Sequence, residues 1–484
     1  MTLLPRCACA FRTSTRVRAA ILVAALASSH VAAQVVGCPG RDNFPLYTTS
    51  SFHARKVLVS PNGQFVAFST RTYDGTVVEL RVKQLSVAST TAVHQFISST
   101  PWSMDMDFAW SPDSLSIFYT AEPTSGSVVD RGSIRKVTFN PGTGNWGTPV
   151  VLMNPNTLTW TSMRLVHTDG TTVWGSFIAT SGLGVVFSLT PPPILPTVQP
   201  TTITWTTVPN LQWLAHDGIV ESGSLRILCS ERNTTNNLVQ FFRFDSSLST
   251  RTNLGATITQ TTENLRFPSW SGTTDEALIV ANTRIALHGV TTTNKVLTDA
   301  NRTAPAAGGA LNLYLREVNS TDLRPDIIPT LGGGEIELRD TPANGIWPTV
   351  PNAAPSTDAN NTIVAWISGG WVYHTILDGE LRAFDKAEAG TNLLVTMPVG
   401  AGQTGMLAVS FGLTSPPITL SGICSGFFLD TTATTILVST STATTQPLLI
   451  PSGFAGTELF YQAIRFSGSP ATGDFSRISR VRVF

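Results

Sequence analysis

One unit recurs along this sequence and constrains its fold more than any other feature. It is an apolar strand, a turn built on Pro-Asn-Gly or a relative, then a second apolar strand ending in Ser or Thr. It first appears as Val57-Leu58-Val59-Ser60-Pro61-Asn62-Gly63-Gln64-Phe65-Val66-Ala67-Phe68-Ser69. The next copy is Phe108-Ala109-Trp110-Ser111-Pro112-Asp113-Ser114, followed by Leu115-Ser116-Ile117-Phe118-Tyr119-Thr120. Proline presets φ for the first turn position, and Asn, Asp or Gly tolerates the positive φ that follows. Two apolar strands joined in this way form a hairpin.

Degenerate copies continue down the chain. Residues 165–170, ending in Asp169-Gly170, precede Thr172-Val173-Trp174, and residues 213–218, ending in His216-Asp217-Gly218, precede Leu225-Arg226-Ile227-Leu228. Trp270-Ser271-Gly272 with Asp275 leads into Ala277-Leu278-Ile279-Val280, Asp358 precedes Ile363-Val364-Ala365-Trp366, and Asp430 precedes Ile436-Leu437-Val438. Turns near 62, 113, 169, 217, 275, 358 and 430 lie roughly 61 residues apart on average, within the range of propeller and array repeats.

Second hairpins fill the intervals. The clearest runs from Trp371-Val372-Tyr373-His374-Thr375-Ile376 through Leu377-Asp378-Gly379 to Glu380-Leu381-Arg382-Ala383-Phe384. Another joins residues 284–290 to Lys295-Val296-Leu297 through Thr-Thr-Thr-Asn. Two hairpins per period make four strands per repeat, which is a propeller blade. The sequence therefore predicts an all-β fold, a β-propeller of about seven four-stranded blades. Six or eight stay open, because Leu311-Asn312-Leu313-Tyr314-Leu315-Arg316 and Glu335-Ile336-Glu337-Leu338 read as an insertion or an eroded blade. The terminal run 477–484 alternates as an outer strand would and is expected to lock the first and last blades together. The segment 378–389 reads as a hairpin rather than a helix.

The Ser-Pro-Asn-Gly and Trp-Ser-Pro-Asp turns, each followed by an apolar strand, resemble the WD40-like (PD40) repeat of TolB-like propellers and of the propeller domains of dipeptidyl-peptidase-IV-type serine peptidases. The resemblance implies a fold and little about activity. In those peptidases a serine hydrolase domain accompanies the propeller. Here about 50 residues follow the last turn, which leaves no room for one.

Composition narrows the compartment and the partners. Arg6, Arg12, Arg16 and Arg18 precede the apolar run 19–27, and Val31-Ala32-Ala33 supplies small residues for cleavage. Residues 1–33 thus read as a signal peptide and 34–484 as a single propeller domain, secreted or extracellular, and periplasmic or at the cell surface in a bacterium. A competing reading takes Val35-Val36-Gly37-Cys38 as a lipobox with a lipid anchor at Cys38, which the polar Ser28-Ser29-His30 interruption opposes. No later run is apolar enough to predict a membrane span. Lys+Arg and Asp+Glu balance at 31 each, so the excess of cations needed for nucleic acid is missing. Cys38, Cys229 and Cys424 leave an odd thiol in an oxidising compartment, and no spacing suggests metal ligands or a cofactor. Asn-x-Ser/Thr triplets at Asn233, Asn301, Asn319 and Asn360 are as frequent as a chain rich in Ser and Thr produces by chance.

Candidate chemistry is sparse. Ala408-Val409-Ser410-Phe411-Gly412 lacks the first glycine of a nucleophile elbow and the helix that should follow. His53, His94, His167, His216, His288 and His374 remain after the signal. His167 and His216 sit at or beside first-to-second-strand turns, where turn stabilisation outweighs an acid–base role, and His288 and His374 fall within third strands. Asp105 and Asp107 precede an inner strand with period-2 spacing. The better constellation is positional: Arg71, Glu122, Glu231, Arg232 and Arg284 all fall just past the end of a second strand in four repeats. Blade symmetry would bring them to one rim as a ligand-binding set, opposite the turns at Asn62, Asp113, Asp169 and Asp217. The leading reading is a non-catalytic scaffold that binds extracellular protein, peptide or glycan through one face of the ring. The alternative is an extracellular polysaccharide lyase or hydrolase with its site at the channel mouth.

Overall fold

Turn chemistry and β-branched runs produce strands almost throughout the computed structural model. It describes residues 45–483 except 48–50, 88, 98–105, 122–132, 154–159, 180–182, 191–200, 204–209, 260–267, 272–274, 291–294, 299–301, 309–310, 320–321, 330–334, 339–353, 378–381, 384–388, 398, 421–422, 441–443 and 469–471. The signal segment, Cys38, Asp105 and Glu122 lie outside the described residues. The chain separates into two compact units, a larger one of residues 43–330 and 338–377 and a smaller one that contains 331–337 and 378–484. The sequence reading ran one ring from 34 to 484.

In the larger unit antiparallel meanders follow one another. The first is Phe52–Val59, Phe65–Thr72, Val77–Gln84 and Thr90–Ile97; the second is Asp107–Trp110, Ser116–Ala121, Ser133–Asn140 and Val150–Met153. The third is Trp160–Thr168, Val173–Ala179, Gly184–Leu189 and Thr201–Ile203; the fourth is Leu211–Glu221, Ser224–Asn233, Leu238–Asp245 and Arg251–Thr259. The fifth is Ser269–Trp270, Glu276–Ala281, Arg284–Gly289 and Lys295–Val296, and the sixth holds Arg302–Gly308, Leu311–Asn319 and Asp322–Pro329. The seventh is Ser356–Thr357, Ile363–Ser368 and Trp371–Ile376, joined on its outer side by Pro45–Tyr47. The first strands of successive sheets touch one another, and Ser356–Thr357 of the last touches Phe52–Val59 of the first. A closed circle of inner strands, with each sheet running outward from it, is a β-propeller.

Packing explains why the second strands read as apolar runs rather than as alternation. Each sheet is covered on both faces by its neighbours, so Phe65 to Thr70 are all buried. Phe65, Leu80 and Phe96 of the first sheet pack with Phe108, Tyr119 and Val137 of the second. Equivalent cores join the second to the third, the third to the fourth, the fourth to the fifth and the fifth to the sixth sheets. Ala365, Ile367 and Val372 of the seventh return to Val57, Val66 and Phe68 of the first.

Closure of the ring corrects two expectations. The outer neighbour of Trp371–Ile376 is Pro45–Tyr47, not the predicted hairpin partner at 380–384. Arg382–Ala383 instead pairs with Asn392–Met397 in the smaller unit. The tail strand Ser479–Arg482 also lies in that unit, between Glu335–Glu337 and Glu458–Ser467, so it does not lock the ring. Local turn propensity reports that a reversal is favourable but not which distant strand will compete for the edge. Backbone and hydroxyl contacts reinforce the closure: Val59 N donates to Ser356 Oγ at 3.0 Å and Ala359 N to Pro61 O at 3.0 Å.

Three repeat assignments shift as well. The fourth sheet turns at Ser222-Gly223, both at positive φ (52° and 77°), while Asp217 lies inside the strand Leu211–Glu221. Asp430 does organise a turn, accepting from Thr432 N at 2.9 Å, but the strand after it, Thr435–Thr440, pairs with Thr404–Ser410 in the smaller unit. Leu311–Asn319, read as an insertion or an eroded blade, is the second strand of a ring sheet that none of the seven turns marks.

The smaller unit has its own core. A three-stranded sheet of Arg382–Ala383, Asn392–Met397 and Thr444–Leu449 places Leu393, Val395 and Met397 against Leu407, Leu459, Tyr461 and Val481 of a second sheet. Two sheets packed face to face in this way form a sandwich. Among the described residues no helix is long and apolar enough to cross a membrane.

Candidate functional site

Charge is scarce in the ring, so charged side chains on its inner strands stand out. Lys56, Asp107 and Arg164 occupy one equivalent position in three adjacent sheets, four residues before the turn hydroxyls of Ser60, Ser111 and Thr168. Each faces a buried hydroxyl on its own second strand, in the pairs Lys56–Ser69, Asp107–Thr120 and Arg164–Ser176. Leu214 occupies that place in the fourth sheet, opposite Ser230.

Each of the first two charges reaches to the next sheet. Lys56 Nζ pairs with the Asp107 carboxylate, donates to Phe108 O at 2.9 Å and stands 5.1 Å from the Phe108 ring centre. Asp107 in turn accepts from Phe108 N at 2.8 Å and, across the sheet boundary, from Leu165 N at 3.3 Å. Arg164 comes next in this relay, and the following sheet presents Leu214 instead of a carboxylate. Its guanidinium makes no hydrogen bond among the described residues, and its electrostatic partner is Asp107. Burial holds the Arg164 pKa below the usual guanidinium value, with Asp107 opposing that shift. The side chain still keeps accessible surface, as a residue on the innermost strand of a ring does.

His216 completes the arc. The pairing of the fourth sheet slips between Ala215 and Asp217, which leaves His216 as the extra residue of a β-bulge. Bulges re-aim a side chain. The expectation that His216 sits at a turn on the far face is thereby corrected. Its Nε2 lies 2.7 Å from the Ser230 hydroxyl, whereas its Nδ1 is buried without a hydrogen-bond partner among the described residues. Burial first, and the charge of Arg164 second, push its pKa well below the ordinary imidazole value, so the ring is neutral. Beside it Asp217 accepts from Ser269 Oγ at 2.6 Å and Trp270 N at 3.0 Å, tying the fourth inner strand to the fifth. His167 packs where a Cβ at Gly218 would come within 2.6 Å of its own Cβ, and burial lowers its pKa too.

The rim candidates stand elsewhere. Arg71 is the penultimate residue of Phe65–Thr72, Glu231 and Arg232 close Ser224–Asn233, and Arg284 opens Arg284–Gly289 just beyond Glu276–Ala281. A Cβ at Gly75, where φ is +73°, would lie 2.5 Å from Arg71 Nη2, so the guanidinium folds over the turn that carries Tyr73, 77% exposed. Glu231 does not face a neighbouring rim residue: it accepts from Trp213 Nε1 at 2.7 Å and Arg251 Nη1 at 2.9 Å within its own sheet. Arg284 is exposed, and Arg232 has a buried Nε without a hydrogen-bond partner among the described residues.

Other singled-out residues have structural roles. His94 Nδ1 lies 2.6 Å from the Tyr119 hydroxyl, and His288 Nε2 lies 2.9 Å from Ala256 O. Ser410 is buried in a strand and donates to Asp430 O at 3.2 Å. Cys229 is a buried free thiol whose pKa burial raises. Among the described residues no cluster of His, Cys, Asp and Glu is arranged to hold a metal.

No family model and no curated protein matches the sequence. Among solved structures the chain is similar to a prolyl endopeptidase, with 10% identity, 74% of this chain and 49% of that one covered, and a TM-score of 0.43. It is also similar to an oligogalacturonate lyase in complex with manganese, with 12% identity, 69% and 96% covered, and a TM-score of 0.45. A third is the β-propeller domain of the trilobed protease from Pyrococcus furiosus, with 11% identity, 60% and 84% covered, and a TM-score of 0.35. The chain spans about half the length of the prolyl endopeptidase, 49%.

Proposed function

We propose that the protein is a secreted, non-catalytic scaffold whose ring, a seven-bladed TolB-like propeller over residues 45–377, binds an extracellular protein, peptide or glycan through one face. The observation that carries this reading is the placement of Arg71, Arg232 and Arg284. Arg71 and Arg232 close the second strands of their sheets and Arg284 follows the end of another, the ends opposite the turns at Asn62, Asp113 and Asp169, with Tyr73 exposed beside Arg71. Arginine forks with adjacent aromatic surface suit carboxylate and polar groups on a partner. Binding at such a rim is wet and partly screened, so each contact contributes modestly.

The test is a screen of the purified protein on immobilised glycans and peptides, followed by the Arg71→Ala, Arg284→Ala double variant on whatever is retained. The double variant is expected to weaken Kd by about tenfold, some 1.4 kcal/mol. Unchanged affinity in a folded double variant rejects this rim as the binding face.

A further inference from the structure

Arg164 and His216 each keep a hydrogen-bonding group that has no partner among the described residues. The Lys56, Asp107, Arg164 relay ends at Leu214, so the guanidinium has no hydrogen-bond acceptor among the described residues. A partly buried arginine gains from a partner, because an unpaired charge withdrawn from water is unfavourable. His216, on the inner strand packed beside that of Arg164 and within its electrostatic reach, is held neutral and oriented by Ser230, with Nδ1 buried and unpartnered among the described residues. Asp107 accepts from Lys56 and two backbone amides, and Asp217 from Ser269, Trp270 and Gly218, so neither carboxylate is hydrogen-bonded to Arg164, although Asp107 acts on it electrostatically. Lys56, Asp107 and Arg164 carry a net positive charge inside the ring, and the planar fork of a guanidinium matches a carboxylate in two parallel hydrogen bonds.

We propose that Arg164 and His216 form a site on the inner wall of the ring for the carboxylate group of a ligand. Arg164 takes both carboxylate oxygens, and when Ser230 donates to Nε2 the His216 Nδ1–H donates to one of them. The site is separate from the rim of Arg71 and Arg284 and does not depend on it. A carboxylate can arrive as a free small acid, as the C-terminus of a peptide or on a uronic sugar, and the experiment separates these sources.

Thermal melts of the purified protein are followed in acetate, N-acetyl-Ala-Ala and glucuronate, against chloride at matched ionic strength, N-acetyl-Ala-Ala amide and glucose. At least one carboxylate should raise Tm saturably where its neutral counterpart does not, and the responding probe identifies the source. Arg164→Met should abolish that response, Arg164→Lys should shift its midpoint at least about tenfold through loss of the fork, and Arg71→Ala should leave it intact. Arg164→Lys also serves if Arg164→Met does not fold. The proposal is overturned if no carboxylate exceeds chloride, if sulfate and phosphate match the carboxylates, or if a folded Arg164 variant responds as the wild type does.

Discussion

The inner arc makes individual residues sensitive to pH in a direction that can be worked out. An unperturbed imidazole titrates near about 6.5, and in the folded ring burial and Arg164 hold His216 well below that. Below about pH 6.5 the unfolded chain takes up a proton that folded His216 refuses, so stability falls as the pH drops from about 6.5 toward the folded value. His167, also depressed by burial, adds to the same slope. His216→Gln should flatten the loss of urea midpoint between about pH 6.5 and 5, and an identical slope in the variant would show that the imidazole is not held neutral. Asp107 and His216 were both visible in the sequence as titratable groups in or near inner strands, though His216 was placed at a turn. Lys56 and Arg164 were missed because neither belongs to a local motif, Lys56 standing beside Arg55 and Arg164 between Met163 and Leu165. Aligning the copies on Ser60, Ser111 and Thr168 would have set Lys56, Asp107 and Arg164 in one column.

Among the elements, the three-residue strand Pro45–Tyr47 covers the outer edge of the seventh sheet. Tyr47 lies 5.1 Å from Phe68 and under the Arg81 guanidinium at 5.0 Å, and its strand covers the edge of Trp371–Ile376. An uncovered edge leaves ladder groups unpaired and invites other strands. The described tryptophans all belong to the larger unit, so tryptophan fluorescence is used to follow the ring. Removing the chain through Tyr47 should lower the fluorescence-detected Tm by about 5 °C or more; an unchanged transition would mean that Trp371–Ile376 needs no outer neighbour. The run 477–484, expected to lock the ring, instead supplies Ser479–Arg482 to a sheet of the smaller unit. The sequence marked the C-terminal run 477–484 as strand-like but could not assign it to its sheet, and nothing in it singled out Pro45–Tyr47, since pairing partners hundreds of residues away leave no trace in local alternation.

At the scale of the molecule, far-ultraviolet circular dichroism should report β-structure with little helix, because the single helical element among the described residues is the short 3-10 turn Ser452–Phe454. Helix near one third of the signal would contradict the architecture. What the sequence determined by itself is the class of structure. Ser-Pro-Asn-Gly and Ser-Pro-Asp turns fix where the chain reverses, and flanking apolar runs such as 65–70 require burial on both faces, which only stacked sheets provide. What the tertiary structure decided is membership and closure. The Asp430 turn has the same local chemistry as Asp169, yet its strands belong to a sandwich, while the weakly marked run Leu311–Asn319 supplies a sheet of the ring. Turn preference is a property of a few adjacent residues. Which sheets share a core, and where the charges of Lys56, Asp107 and Arg164 meet or fail to meet a partner, depends on contacts 50 or more residues apart, with 51 between Lys56 and Asp107 and 58 between Asp107 and Leu165.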